Sequence, residues 1–523
     1  MKDLKIRFKN KIALILSIPI LLLSSCSLEE ETFSIYTPET FYSNDFQILS
    51  SLSGVYRSFA GITGMGVEYR SLELSADQVV VQQKIQGWWG GDAFWQLMEH
   101  TWNPDHPYIT GTWDTFFRTV GQTNGLLTSL DGSTLDVTGP VAELRALRAY
   151  AYFYLMDLFG NVPIFTLPKV DPLNLPEQNT SAEVFEFVTT ELQAAAADLP
   201  TKAEAGSGYY GRLTKEAAYA LLATVYLNAE VYTGTPQYGK AEEYADLVIN
   251  SGAYSLLPNY FDNFVANNDN NEEFIFGAVY SPNVAGGIGH PLVQKVLPGI
   301  SGGLFGLPYT PQNGFATRPS IMNAYEDQDD RKDMFLGGYG PLVDPRNGEV
   351  VLVESIVPDN NSTLYVPGNS TEGPVPYEII PATGIRSQPM NAGIKWIKWQ
   401  LDPNTAGGNA GNDIAFIRYA DVILIKAEAM ARQGNLEGAR QFVNMIRERS
   451  DATPLTSLSL ENILEERNRE LAFEMTRRRD LIRFGKFGDA WEWKEQSEDY
   501  RTIYPIPQAA INANPSLTQN PGY

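Results

Sequence analysis

Apolar residues recur at three- and four-residue spacing in four stretches of this chain. The first is "TWDTFFRTVGQTNGLLTSL" followed by "AELRALRAYAYFYLMDLFG". The second is "KEAAYALLATVYLNAEVY" followed by "YGKAEEYADLVINSG". The third is "RYADVILIKAEAMARQGN" followed by "LEGARQFVNMIRERS", and the fourth is "LENILEERNRELAFEMTRRRDLIRFGKF". Such spacing places one apolar stripe along one face of a helix, so it predicts amphipathic helices over about 113–160, 212–253, 416–450 and 460–488. The first three stretches each read as two helices and a turn. Over about 255–410 the helical spacing stops. Gly, Pro and Asn crowd into "NVAGGIGHP", "PGISGGLFGLPYTPQNG" and "VPDNNSTLYVPGNSTEGPVP", while short apolar runs such as "EEFIFGAVY" and "EVVLVES" predict strands. A second loop-rich stretch covers about 70–105.

The third pair has the small and large positions of a tetratricopeptide repeat. Ala427 is small where two helices must approach, Gly434-Asn435 forms the turn, and Ala439, Val443 and Ile446 follow on the second helix. The second pair has the same pattern at Ala223, Tyr226, Ala241, Ala245 and Val248, with "TGTPQ" lengthening its turn. One such pair is an ordinary pair of amphipathic helices; three in one chain predict a helical repeat scaffold. The predicted class is mainly α, with a loop-rich region containing short strands set into the scaffold.

The N-terminus changes the picture of where the chain works. Lys2, Lys5, Arg7, Lys9 and Lys11 precede the apolar run "IALILSIPILLL", which is too short to span a bilayer. Residues 1–25 read as an export signal, and 26–523 as the mature chain. "LSSC" ends the signal at Cys26, the only cysteine, so the pattern reads as a lipidation site and excludes an intramolecular disulfide. Glu29, Glu30 and Glu31 follow at once, similar to the acidic tag that sends lipoproteins to the outer face of the outer membrane. The net charge of the 523 residues is −23, which excludes nucleic acid as a natural partner and favours a neutral ligand over an acidic one unless a local basic pocket exists.

The stretch "QGWWGGDAFWQLMEHTW" holds four of the nine tryptophans, spaced by glycines. A core uses tryptophan sparingly, because its N–H needs a partner; a surface that binds flat, polar ligands uses it freely. Catalytic or metal chemistry has no comparable signal. His100, His106 and His290 are scattered, no nucleophile elbow, phosphate loop or paired-cysteine site occurs, and the carboxylates are too many to single out a glycosidase pair. "NNDNNEE" offers oxygen ligands but lacks the glycine of a calcium loop, so it reads as a solvated turn. Arg477, Arg478, Arg479 and Arg483 are interleaved with acids, and the i,i+4 spacing of Glu465 to Arg469 and Glu474 to Arg478 reads as a salt-bridged structural helix.

Several segments together carry a family resemblance. They are the run from Trp113 to Asn124, "LRALRAYAYFYLMDLFGNVPI", "GRLTKEAAYALLATVYL", "YEDQDDRKD", "IRYADVILIKAEAMAR", "FVNMIRERS", "ERNRELAFEMTRRRDLIRFG" and the closing "YPIPQAAINANPSLTQNPGY". In this order they resemble the SusD/RagB family of surface nutrient-binding lipoproteins, from the lipidation site to the last tyrosine. The resemblance implies a body of four tetratricopeptide-like repeats and a variable loop-rich part. It also implies a SusC-like TonB-dependent transporter as partner, an oligo- or polysaccharide as ligand, no cofactor and no catalysis. A surface glycoside hydrolase and a peptide-binding lid of a peptide importer are the alternatives.

The resemblance also sorts candidate residues. Trp102 and Trp113 fall in the family's run into its first repeat helix and are expected to pack. Trp88, Trp89 and Trp95 fall in the variable loop where family members meet glycan. Glycines at 87, 90 and 91 free the backbone to present indoles outward, and an indole stacks on the C–H face of a sugar. Asp77 sits where the first binding loop begins, and Phe305 and Tyr309 lie on the second variable loop. Trp396 and Trp399, in "IKWIKWQL", are expected on opposite faces of a strand, one buried and one free for ligand; Trp396 is carried as the candidate.

Overall fold

The apolar stripes become a row of helices, each packed on the next. The helices used below are α1 (Asp45–Ser58), α2 (Val67–Glu73), α3 (Asp92–Met98), α4 (Pro107–Leu130), α5 (Thr138–Phe159), α6 (Ser181–Asp198), α7 (Lys215–Leu227) and α8 (Tyr238–Asn250), followed by α9 (Leu292–Val296), α10 (Tyr419–Arg432), α11 (Leu436–Arg449), α12 (Leu460–Glu470) and α13 (Arg477–Arg483). They come from a computed structural model that describes residues 42–523 apart from 64, 85–90, 283–287, 300, 337–351, 354–374, 377–378, 380–381, 389–390 and 403–407. The export signal, Cys26 and the acidic run after it lie outside the described residues.

Packing runs from α4 to α5 to α6 to α7 to α8, then across to α10 and on to α11. The step from α8 to α10 joins helices separated in sequence by the whole loop-rich region. Each helix mainly meets its neighbours, as in a stacked repeat. The third pair is packed as its spacing implies. Ala427, Ala439, Val443 and Ile446 lie in one buried cluster with Ile423, Leu424 and Ile463. Gly434 makes the turn at φ +91°, a conformation that a side chain strains, and Asn435 caps α11 by accepting from Gly438 N–H at 3.0 Å.

Two features differ from the expected helices. Helix α6 is one that the sequence reading omits, although Val184, Phe185, Val188, Leu192 and Ala195 are buried at helical spacing. Its start carries a local signal, a capping box in which Thr180 and Glu183 each bond the other's backbone. The fourth stretch is broken between α12 and α13. Phe473 and Met475 both take positive φ, 66° and 60°, and the break is held from outside: Phe473 N–H donates to Gln78 Oε1 at 3.0 Å and Met475 N–H to Glu73 Oε1 at 2.6 Å.

Among the described residues the strands are short antiparallel pairs. β1 (Val79–Val81) pairs with β3 (Phe315–Thr317), and β2 (Phe274–Ala278) with β5 (Ile414–Arg418); β4 (Lys395–Trp396) lies beside a two-residue strand at Phe335–Leu336. "EEFIFGAVY" supplies β2, and the described part of "EVVLVES", Leu352–Val353, pairs with Val375–Pro376. The "NNDNNEE" turn is less solvated than its composition suggests. Asn268 is buried and bonds the backbone of Asn263 and Asp413, and Glu273 is buried against Arg418 at 2.7 Å.

The arginine-rich helix is structural, but with partners other than those its spacing proposed. Arg477 holds Asp77, Arg479 reaches Asp157, and Arg483 binds Glu428 and Asp480. Arg469 takes Glu466, three positions away, and Glu474 turns to Lys398 and Arg418. The break before α13 swings Glu474 away from Arg478, which instead donates to Thr502 O at 2.7 Å.

Candidate functional site

The aromatic stretch begins where the chain leaves β1. Gln83 and Lys84 are zipped to the segment 385–388: Gln83 N–H donates to Ile385 O at 2.8 Å, and Gln388 N–H returns to Gln83 O at 2.8 Å. Thr383 N–H donates to Gln388 Oε1 at 3.0 Å, which fixes the far side of that segment. Trp88 and Trp89 follow directly and lie outside the described residues. The chain re-enters at Gly91, whose φ of +79° turns it into α3.

Two buried lysines lie where the chain leaves β1. Lys84 is buried, with Nζ donating to Gln82 Oε1 at 3.0 Å and to Ala392 O, and burial pulls its ammonium down to about 7. Lys395 is buried beside it, donating to Phe315 O at 2.8 Å; burial first, and the Lys84 charge second, hold it well below the ordinary lysine range.

Burial separates the candidate residues. Trp95 is 7% exposed, and the Arg386 guanidinium lies 3.7 Å from its ring centre, itself tied to Glu99 at 3.1 Å. The ring is covered on one side by core and on the other by arginine, so it offers no free face to a sugar. Asp77 is also committed elsewhere. Arg477 donates to both of its oxygens at 2.8 Å, and although burial pushes the carboxyl up, Arg477 and then Arg318 outweigh this and leave it below the usual range. Asp77 therefore locks α13 to β1 rather than receiving hydroxyls. Phe305 is 1% exposed and belongs to the core under its loop.

Trp396 and Trp399 are both buried, at 2% exposure each, where one was expected to be free. Strand β4 ends at Trp396, so the alternation that would have turned one ring outward does not continue. Trp396 stacks on Phe473 at 4.3 Å and 14°, and Trp399 meets Phe264 edge-on at 5.7 Å. Tyr309 is the described aromatic candidate that is only half-buried; burial and then the Asp402 charge push its hydroxyl up to about 12. Trp102 and Trp113 pack as expected. Trp102 donates to the Tyr523 hydroxyl at 2.7 Å, and Trp113 meets Phe159 edge-on at 5.0 Å.

The histidines serve the fold. His100 bonds Ser75 O and Ser497, His106 caps α4 and bonds Ala93 O, and His290 bonds Asn412 O. Among the described residues no group of three His, Cys, Asp or Glu side chains is placed to hold a metal ion.

Sequence reasoning passed over a second concave place. A cavity of about 300 Å³ lies between the segment 202–214 and β2, lined by Lys202, Tyr209, Tyr210, Tyr254 and Asp413. The Tyr210 hydroxyl donates to Asp413 at 2.7 Å, and that carboxyl is pushed up to about 6 by burial. Lys202 Nζ lies 3.9 Å from the Tyr254 ring centre. The paired tyrosines of "SGYYGR" were the available signal.

Two family models match the chain. One, described as the SusD family, covers 232–500 and 485–523; the other, described as "Starch-binding associating with outer membrane", covers 48–227. The chain is 28% identical over 489 residues to the starch-binding protein SusD of Bacteroides thetaiotaomicron, spanning 86% of this chain and 85% of that one. It is 25% identical over 532 residues to SusD-like protein P25 of Formosa agariphila, spanning 94% of each. Among solved structures, a laminarin-binding SusD-like protein superposes with a TM-score of 0.72 at 23% identity, over 92% of this chain and 100% of that one. Surface glycan-binding protein A of Bacteroides thetaiotaomicron, in complex with laminarihexaose, superposes with a TM-score of 0.70 at 22% identity, over 91% and 99%.

Proposed function

Because the chain belongs to the SusD family, we propose that it is a cell-surface lipoprotein that captures an oligo- or polysaccharide and delivers it to a SusC-like TonB-dependent transporter. The observation that carries this is the match to starch-binding SusD over most of both chains. Relatives of the same fold are named for laminarin binding, and laminarihexaose is bound in one of them. The wide, fixed surface of the stacked helices suits docking on a membrane protein. Membrane attachment would come through Cys26, since no described helix is long and apolar enough to cross a bilayer.

The ligand surface would be the loop carrying Trp88 and Trp89, with Tyr309 as a further aromatic on the second variable loop. With Trp95, Phe305 and Trp396 buried, Trp88, Trp89 and Tyr309 are the aromatic candidates that remain. The charge of −23 favours a polymer with a neutral main chain. A stacked indole contributes on the order of 1 to 2 kcal/mol, so Trp88→Ala or Trp89→Ala should weaken binding about tenfold. Calorimetric titration of both variants with maltohexaose and laminarihexaose measures this. Unchanged affinity in both would remove the loop from the site. Appearance of new reducing ends on incubation with the glycan would instead mark the chain as a hydrolase.

A further inference from the structure

Two arginines flank neighbouring rings of α3, and they are treated differently. Arg386 covers Trp95 and has Glu99 as its carboxylate. Arg70, on α2, lies 5.8 Å from the Phe94 ring centre and 5.1 Å from that of Tyr108, two rings that stack on each other at 5.1 Å and 8°. Its Nε is buried without a hydrogen-bond partner, and among the described residues no carboxylate forms an ion pair with it. Elsewhere the buried arginines Arg331, Arg418, Arg467, Arg477 and Arg483 each face a carboxylate, while Arg318 and Arg478, which form no ion pair among the described residues, are buried and donate to backbone carbonyls.

A second cation converges on the same place. Gly314 N–H donates to Lys295 O at 2.8 Å, and the next residue, Phe315, places its ring 6.2 Å from Phe94. Among the described residues Lys295 Nζ meets a neutral acceptor, Gln312 Oε1, at 2.6 Å, and no carboxylate. Burial, and then the charge of Arg70, lower its ammonium below the ordinary lysine range. The carboxyl nearest in sequence, Glu68, is buried against Gly61 and Gly66; burial disfavours its charge, and although the charges of Arg118 and Arg70 oppose this, it forms no ion pair with Arg70. Arg70 and Lys295 are both partly exposed. Two partly exposed cations whose charges oppose each other are therefore drawn toward the same aromatic cluster, in a chain with acids to spare.

The Phe94–Tyr108 stack accounts for where the Arg70 plane lies but not for its unused N–H groups. A planar guanidinium with free edges beside an ammonium is the donor set that a carboxylate or sulfate accepts. We infer that Arg70 and Lys295 form a subsite for an anionic substituent, carboxylate or sulfate ester, on the glycan that the chain captures. This rests on the glycan-binding function proposed above. The acidic surface does not oppose it, because charges beyond about 8 Å are screened at physiological ionic strength while a direct contact is not.

The test uses the full chain and three probes: whichever of maltohexaose and laminarihexaose binds, its sulfated derivative, and its derivative oxidised to the uronate at C6. The wild type should bind at least one acidic probe on the order of tenfold tighter than the neutral one, and which acid wins identifies the group. Arg70→Gln should abolish the preference with the neutral-probe constant and melting temperature unchanged, and Arg70→Lys should keep part of it. Lys295→Gln, a change at a partly exposed side chain, tests the site independently if Arg70→Gln does not fold. A neutral probe that binds as tightly as both acidic ones, or a preference that survives both glutamine variants, overturns the subsite. If the wild type binds none of the probes, the glycan-binding proposal fails and takes the subsite with it.

Discussion

Glu73 closes α2, three residues from Arg70, and carries the strongest pH-dependent prediction. It has no exposed surface; one oxygen accepts from Met475 N–H at 2.6 Å and the other has no partner. Burial pushes its carboxyl up to about 8, with the Asp77 charge adding to the rise and Met475 opposing it. The folded chain thus keeps a proton that an unfolded glutamate releases near pH 4.3. The stability from that proton is fully present below about pH 4 and is lost, at roughly 1.4 kcal/mol per pH unit, as pH rises to about 8. From pH 5 to 8 the loss is about 4 kcal/mol. Glu73→Gln keeps the acceptor for Met475 and cannot ionise, and any cost of its own amide is the same at every pH. A chain of this size unfolds with an entropy of about 1 kcal/mol per degree, so the variant should gain about 4 °C on the wild type between pH 5 and 8. Differential scanning fluorimetry across that range reads the two melting curves. Parallel curves, within about 1 °C, would refute a neutral Glu73.

Trp113→Ala removes a ring that is 6% exposed and wedged against Phe117 and Phe159. It should cost about 3 to 5 kcal/mol in chemical denaturation while leaving glycan affinity within a factor of two or so. Cys26→Ala should move the protein from the membrane fraction to the soluble fraction of cells, and surface retention equal to wild type would remove the lipid anchor from the proposal.

The helical pairs were legible because a repeat helix writes its buried stripe into its own sequence: Ala427, Ala439, Val443 and Ile446 lie in the one core that their spacing implied. What the sequence hid was fixed from far away. The chain through Leu471 to Thr476 has helical spacing, yet Phe473 and Met475 take positive φ, a conformation that costs on the order of 1 kcal/mol or more each. Gln78 and Glu73 hold that break from 395 and 402 residues away, and no window around position 473 contains them. Helix α6, by contrast, was legible and was passed over. Its signal was local and doubled, a Thr180–Glu183 box at the start and a buried stripe of Val184, Phe185, Val188, Leu192 and Ala195 behind it.

The candidate site shows the same division more sharply. Trp95 and Trp396 look like binding residues by type and neighbourhood, but exposure is a property of partners. Arg386 covers the first and Phe473 the second. Asp77 has the chemistry to accept sugar hydroxyls, and Arg477, 400 residues on, has taken both of its oxygens. In a chain this acidic, a carboxylate is a poor marker of function, because most of what it could do is absorbed by a buried arginine. The informative group is the one left over after the pairing. Arg386 and Arg70 sit over neighbouring rings of α3; one has its carboxylate and the other does not. Composition gives both arginines equal weight, and the difference between them exists only once Glu99 is folded beside Arg386. The unpaired cation is therefore where a ligand's charge has something to gain, and the sequence could have pointed there only by naming every partner first.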